Sequence, residues 1–413
     1  MRIRSLLTIL LITSVAEAGV ESGRPLPGSG EPGHISEISA RVESLRGLSF
    51  ERPVEVVEVP RGDLRKVLLD QIERDTTLPV GEAMAVLEAL LLIPDSSVAL
   101  ENLLTVYEAQ VLAYYDPTSR KYYTFDAGPD GEPVPAMLEE AIAIHELTHA
   151  LQDQRFDAGK RLRALESDWD RQMAYHAVLE GEATLLMLAA LIEPMGITLE
   201  DLAASDELVS SMAEMAATSP GMPAGAEPYF VESLKFPYIQ GLGLVLEAFR
   251  REGWKGVDRL HDRPPLTTEE VLRPEIYFRS GNERAARPGC SDSKAVVSTS
   301  LGRFHWGFLL GDPAADGLIH DCVRVTRKGA ELVVRGTSAW INEAEAAEFA
   351  LKLRKELARR DVRATVVQNE AMVDFQWAGE PDAQPSESGL NGGATSSPST
   401  SARASSQADS ASW

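Results

Sequence analysis

The sequence is poor in basic residues and has almost no cysteine. Its 413 residues include 40 lysines and arginines against 63 aspartates and glutamates, which gives a net charge of −23 at pH 7. Phosphate backbones bind basic surfaces, so we expect no nucleic acid among the partners of this chain. With only two cysteines, the chain also lacks the thiolates that a cysteine-rich zinc site needs.

Long apolar runs are scarce as well. The first 18 residues, MRIRSLLTILLITSVAEA, have a basic start, an apolar middle and an Ala-x-Ala end. This order is typical of a secretory signal peptide. The apolar run is shorter than the roughly 20 residues that cross a bilayer, so we expect cleavage after Ala18 and no integral membrane segment afterwards. The mature protein is then expected to be secreted or periplasmic.

The two cysteines, Cys290 and Cys322, are a candidate disulfide in an exported chain. In the chain-entropy model a loop of this length would stabilise the fold by about 3–4 kcal/mol. Two free buried thiols are the alternative.

The pattern along the chain predicts an α+β fold. A strand is predicted at 53–60 and a β-hairpin around Asp116-Pro117-Thr118-Ser119. Apolar residues at helical spacing predict helices at 63–75, 80–93, 96–108, 136–154, 168–192 and, with proline breaks, 229–277.

Composition divides the chain into further regions. Residues 19–44 are predicted to be a flexible leader, 45–285 the main domain and 286–378 a small α+β unit. Residues 379–413 have almost no large apolar side chains and are predicted to be disordered.

One predicted helix carries His145, Glu146 and His149. Residues four apart differ by about 40° around a helix, so both imidazoles project from one face and can bind one zinc ion. Glu146 can take the proton from a metal-activated water. With seven histidines, a chance His-Glu-x-x-His is expected in roughly one such chain in a hundred. A metal-free polar helix is the alternative.

A catalytic zinc needs a third protein ligand, and the next helix offers three candidates. Glu180 lies 31 residues after His149, and His176 lies one turn before Glu180 on the same face. Glu182 lies about 200° around from Glu180, so these two glutamates cannot bind the same ion.

The sequence resembles the gluzincin zinc peptidases, and more of it resembles a group of uncharacterised bacterial predicted metallopeptidases. The resemblance runs from about residue 45 to 376. The segments that carry it are "YYDP" (114–117), "HELTHALQDQ" (145–154), "EGEAT" (180–184), "FPYIQG" (236–241) and "PPLTTEEVLRP" (264–274). The first of these resembles a "FYDP" hairpin of that group.

The resemblance implies a zincin-like domain over 45–285, with a mostly helical catalytic core and an edge β-hairpin. It implies one Zn²⁺ per chain, bound by His145, His149 and Glu180 in preference to His176. Arg273 stands where the related group has His, and Arg273 and Tyr238 are candidates for stabilising the oxyanion, or else structural residues.

Two further roles are expected around such a centre. Asp153 is a candidate acceptor for the second N–H of a ligand histidine, or else an ordinary solvated residue. A strand at 111–115 or 121–125 is expected to hold a substrate backbone by strand addition, or else only to pack in its sheet.

The sequence thus predicts an exported zinc metallopeptidase, most specifically an endopeptidase, that acts on a peptide or protein substrate. The first alternative is a catalytically inactive zincin-fold protein that binds peptide or protein. A structural or metal-buffering zinc protein is the second, but it would prefer a fourth protein ligand, and none is evident in the sequence.

Overall fold

A computed structural model describes residues 32–76, 78–205, 222–279 and 289–378. The predicted signal peptide, the first part of the predicted leader and the predicted tail lie outside these residues. The fold is mixed α+β, as predicted. The helices are α1 (Pro32–Arg46), α2 (Leu64–Asp75), α3 (Val80–Ala89), α4 (Ser96–Gln110), α5 (Ala136–Phe156), α6 (Ala158–Ala164), α7 (Trp169–Ile192), α8 (Leu199–Ala204), α9 (Pro228–Glu252), α10 (Trp254–Asp262), α11 (Thr268–Leu272), α12 (Pro274–Arg279), α13 (Gly302–Leu310) and α14 (Glu343–Arg359). The strands are β1 (Glu55–Val59), β2 (Ala113–Asp116), β3 (Lys121–Phe125), β4 (Val297–Thr299), β5 (Leu318–Lys328), β6 (Glu331–Trp340), β7 (Ala364–Asn369) and β8 (Met372–Ala378).

The first sheet has three strands in the order β1-β3-β2, with β3 parallel to β1 and antiparallel to β2. The predicted hairpin is therefore confirmed. The Asp116 side chain accepts a hydrogen bond from the backbone N–H of Thr118 at 2.9 Å and so holds its turn. Of the two strands considered for strand addition, 121–125 is excluded because β3 is paired on both sides, and β2 is the edge strand of the hairpin.

Helices α5, α7 and α9 form the centre of the helical part and carry the predicted site. Helix α7 is capped by Asp168, the residue before it, whose side chain accepts a hydrogen bond from the N–H of Arg171. Within the described residues, one helix (Trp169–Met195) is long and apolar enough to cross a membrane, but 83% of its apolar window is buried inside the protein. Its apolar character therefore reflects a place in the core.

The backbones of α7 and α9 approach each other at Gly181 and Gly241. A Cβ built on Gly181 would lie 2.2 Å from the carbonyl carbon of Gly241, and one on Gly241 would lie 2.0 Å from the carbonyl oxygen of Ala177. No side chain fits in this contact. The "EGEAT" and "FPYIQG" segments are thus packed backbone to backbone.

The prediction of a flexible leader over 19–44 is wrong from residue 32 onward. Residues Pro32–Arg46 form α1, and its buried side chains Ile35, Ile38 and Val42 recur at helical spacing. They belong to the same apolar cluster as residues of α5. Burial of this face holds α1 on the domain, and its last residue, Arg46, is only 1% exposed.

The C-terminal unit is an antiparallel sheet in the order β4-β5-β6-β8-β7 with α14 packed on it. The predicted combination of helix and strands is therefore present in this region. Cys290 and Cys322 form a disulfide, with 5.3 Å between their Cα atoms. One continuous apolar core contains residues of α7 and of this sheet, and the indole N–H of Trp377 donates to the carbonyl of Ala89. The boundary predicted after residue 285 thus does not separate two cores.

Candidate metal centre

Helix α5 brings His145 and His149 together on its buried face. Their rings are 4.7 Å apart between centroids, and the side chains are 0% and 3% exposed. The apolar flanks of the motif explain this placement, because Ile144, Leu147 and Leu151 are all buried in the adjoining cluster. The two imidazoles therefore face α7 rather than solvent.

Helix α7 brings Glu180 to these two histidines. Its Oε2 lies 3.1 Å from Nε2 of His145 and 3.6 Å from Nε2 of His149. One ligand atom from each of the three residues lies within 4.8 Å of the others, so this group can hold a metal ion. We call His145, His149 and Glu180 the metal-binding group.

The other two candidates on α7 have different positions. His176 contacts the second carboxylate oxygen of Glu180, with Nε2 3.0 Å from Oε1. Glu182 is buried on the opposite side, where Arg46 and His261 donate to it. The predicted division of the two glutamates between opposite faces of the helix agrees with this geometry.

The protonation states of the metal-binding group suit a cation. Burial lowers the pKa of His145 to about 4, by more than the contact with Glu180 raises it. Burial alone would raise the pKa of Glu180, but the histidines around it together hold that pKa well below its ordinary value. At neutral pH the group therefore offers a neutral imidazole and a carboxylate.

Three buried atoms at this group have no hydrogen-bond partner within the described ranges: Nδ1 of His145, Nε2 of His149 and Oε1 of Glu146. A buried polar atom without a partner carries a cost of about 1–3 kcal/mol. For His149 that cost is removed if Nε2 binds a metal ion. Two imidazoles and a carboxylate are a donor set that zinc accepts. The residues present therefore fit this metal.

Glu146 lies next to the metal-binding group, with one carboxylate oxygen hydrogen-bonded and the other without a hydrogen-bond partner. Its Oε2 accepts a hydrogen bond from the backbone N–H of Tyr115 in β2 at 2.8 Å. Burial, and then the charge of Glu180, raise the pKa of Glu146 well above its ordinary value. A carboxylate with a raised pKa is a stronger proton acceptor than an ordinary glutamate.

The structure separates the two candidates for stabilising the oxyanion. The ring of Tyr238 stacks on that of His145, with 5.7 Å between centroids. Arg273 instead pairs with Glu269 at 3.2 Å and with Asp316 of the C-terminal unit at 2.9 Å. Among the contacts of the described residues, none joins Arg273 to the metal-binding group.

Among the described contacts Asp153 accepts from no ligand histidine, and at 8% exposed it is not the solvated residue of the alternative either. It accepts from the hydroxyl of Tyr115 and from the N–H of Gly159, both at 3.1 Å. The residue beside it, Gln152, meets His149, with Oε1 2.9 Å from Nδ1. Gln152 was not predicted, because its spacing of three from His149 places it on the same helix face as Asp153 at a spacing of four.

Comparison with known proteins assigns no family to this chain. No protein-family model matches the chain, and no curated protein is similar enough to match it. The atoms of the site form a buried metal-binding group with a proton acceptor beside it.

Proposed function

We propose that this chain is an exported zinc-dependent peptidase of the gluzincin type, most specifically an endopeptidase. One Zn²⁺ would be held by His145, His149 and Glu180. The observation that carries the proposal is the convergence of two histidine nitrogens on one carboxylate oxygen, beside a buried glutamate with an unpartnered oxygen. This set contains a ligand for each of the three protein positions of a catalytic zinc site.

The bound metal would supply a Lewis acid that polarises the scissile carbonyl and acidifies water. Glu146 is the general base: Oε2 is held by the N–H of Tyr115, so Oε1 takes the proton from water. Its raised pKa lets it keep that proton and pass it to the leaving nitrogen. Tyr238, stacked on His145, is assigned as the hydrogen-bond donor to the oxyanion.

The edge strand β2 is proposed to bind the substrate backbone. It is an outer strand of its sheet, and the backbone N–H of its Tyr115 donates to Glu146, so a peptide added beside it would run past Glu146. The disulfide Cys290–Cys322 supports export, because such bonds persist in oxidising compartments.

A catalytically inactive zincin-fold protein that binds peptide or protein is the second candidate. The observation that favours it is burial: His145, Glu146 and Glu180 are all 0% exposed. A substrate must reach these groups for hydrolysis, whereas a structural metal does not need access. Measurement of hydrolysis separates the two candidates.

The first test is the metal content of the purified protein. We expect one equivalent of zinc in the wild type, loss of zinc in Glu180→Gln and retention in His176→Ala, because His176 contacts only the other oxygen of Glu180. An absence of bound metal in the well-folded wild type would refute the zinc proposal.

The second test is hydrolysis of a panel of unstructured protein substrates. Glu146→Gln should retain the metal and lose activity by about 10²–10⁴-fold, the usual share of a general base. Zinc binding without any hydrolysis by the wild type would leave the inactive binding protein as the better assignment.

A further inference from the structure

The side of His149 that faces away from Glu180 is held by a buried hydrogen-bond chain. Oε1 of Gln152 lies 2.9 Å from Nδ1 of His149, and Gln152 is only 1% exposed. The amide nitrogen of Gln152 lies 3.0 Å from the carbonyl oxygen of Leu179 and 2.6 Å from Oε2 of Glu182. Both of these neighbours are acceptors.

These contacts determine the orientation of the Gln152 amide. An amide nitrogen can donate to two acceptors, whereas its oxygen would be repelled by both. Oε1 must therefore face His149. Because that oxygen only accepts, His149 must carry a proton on Nδ1, and in the neutral ring the lone pair is then on Nε2. Nε2 is the atom that lies toward Glu180.

Glu182 is held in turn by two cationic or donating groups from distant parts of the chain. Arg46, the last residue of α1, donates through Nε, and His261 of α10 lies 2.7 Å away through Nε2. All three side chains are 0–1% exposed. A buried carboxylate needs such partners, so Glu182 keeps its position only while Arg46 is present.

We propose that Gln152, held by Glu182 and through it by Arg46, is a positioning residue that keeps His149 in the Nδ1–H tautomer and so strengthens zinc binding. This inference rests on the proposed metal centre. The inference gives α1 a role in the site, because Arg46, its last residue, holds the hydrogen-bond chain that ends at His149. It also gives Glu182 a role distinct from that of Glu180 on the same helix.

The test compares Gln152→Met, which keeps the side-chain length, with wild type. Zinc affinity is measured by competition with a chromophoric chelator, and the cobalt-substituted protein is compared by its absorption spectrum. We expect Gln152→Met to bind zinc about 10–100-fold more weakly, the usual effect of losing the partner of a ligand histidine. Its cobalt spectrum should change, because the ring of His149 is no longer held.

A matched control is Gln154→Met, two residues along the same helix. Gln154 accepts from the N–H groups of Glu51 and Arg52 and donates to the carbonyl of Arg52, away from His149. The Gln154→Met variant loses these three hydrogen bonds, so any general effect of such a loss on zinc affinity appears in this variant too. We expect its zinc affinity to stay within about twofold of wild type.

Two variants test the far end of the hydrogen-bond chain, at Arg46. Arg46→Met removes the partner of Glu182 and should also weaken zinc binding. Asp258→Asn removes only the second, more exposed partner of Arg46, 2.6 Å from its Nη2, and should leave the affinity unchanged. An equal effect of both variants would contradict a relay through Glu182.

A measurement without metal keeps this inference separate from the proposed function. Long-range ¹H–¹⁵N correlation of the histidine rings in the metal-free protein reports each tautomer. We expect His149 as Nδ1–H in wild type and as a mixture in Gln152→Met. An Nε2–H tautomer in wild type, or a folded Gln152→Met that binds zinc as tightly as wild type, overturns the proposal. A wild type that binds no metal refutes the zinc centre, while the tautomer still decides the positioning role.

Discussion

The contact between α7 and α9 leads to a prediction that tests the geometry of the site directly. We consider Gly181→Ala, which adds one methyl group next to the ligand Glu180. The new Cβ would lie 2.2 Å from the carbonyl carbon and 2.3 Å from the carbonyl oxygen of Gly241. These atoms are backbone and cannot rotate away, so the helices must move apart by more than about 1 Å to reach ordinary van der Waals distance.

The expected magnitude follows from two opposing effects. Replacing a glycine by alanine inside a helix stabilises it by about 1 kcal/mol. Overpacking costs about 1–3 kcal/mol even where side chains can adjust, and more is expected against rigid backbone. We therefore expect Gly181→Ala to lower the free energy of unfolding by about 2 kcal/mol or more. The assay is urea denaturation followed by circular dichroism.

Gly243→Ala on α9 is the matched control. Gly243 is exposed, and a Cβ built there has no heavy atom within 4 Å. Only the helical gain remains, so this variant should be as stable as wild type or up to about 1 kcal/mol more stable. If Gly181→Ala proved as stable as Gly243→Ala, the close backbone contact would be refuted. If the contact is real, Gly181→Ala should also weaken metal binding, because Glu180 moves with its helix.

Three further predictions concern the rest of the fold. Replacing Cys290 and Cys322 by serine should cost about 3–4 kcal/mol in the free energy of unfolding; an unchanged urea midpoint on adding reductant to wild type would contradict this. Burial lowers the pKa of His305 to about 4 from 6.5, so between these values the unfolded chain binds the extra proton and stability falls as the pH falls. Between pH 7 and pH 5 this proton lowers the free energy of unfolding by about 2 kcal/mol, and His305→Leu should lose that part of the pH dependence. Equal slopes of the free energy of unfolding against pH for wild type and variant would refute the effect. Thr268→Val removes a 2.6 Å hydrogen bond to the buried carboxylate of Asp170 and should cost about 1–3 kcal/mol in the same assay, whereas an unchanged stability would contradict the contact.

Local patterns were sufficient to predict most helices and strands and the core of the site. The turn sequence Asp116-Pro117-Thr118-Ser119 between two runs of aromatic and β-branched residues predicted the β2–β3 hairpin, because turn chemistry and strand propensity are local properties. The spacing of His145 and His149 predicted their common face, since helical geometry determines it. The third residue of the metal-binding group followed from a resemblance, because its position depends on how two helices pack.

Tertiary contacts determine the features that sequence patterns did not predict. Helix α1 follows a region rich in glycine and proline, and its three buried apolar residues become meaningful only against the cluster that covers them. Asp153 and Gln152 are adjacent and both polar, so composition could not decide which of them meets His149. The choice depends on the acceptors that α7 presents, Leu179 and Glu182, which sequence spacing does not reveal.

Glu180 and Glu182 show why a cation is expected at one face of α7 and not at the other. Both are buried, and a buried carboxylate is stable only with compensating charge. Glu182 has Arg46, which carries a permanent charge. In the described part of the chain, the ion-pair partners of Glu180 are histidines, and burial holds one of them, His145, neutral at pH 7 by lowering its pKa. The charge of Glu180 therefore lacks a fixed protein cation, and a bound divalent metal ion would supply it.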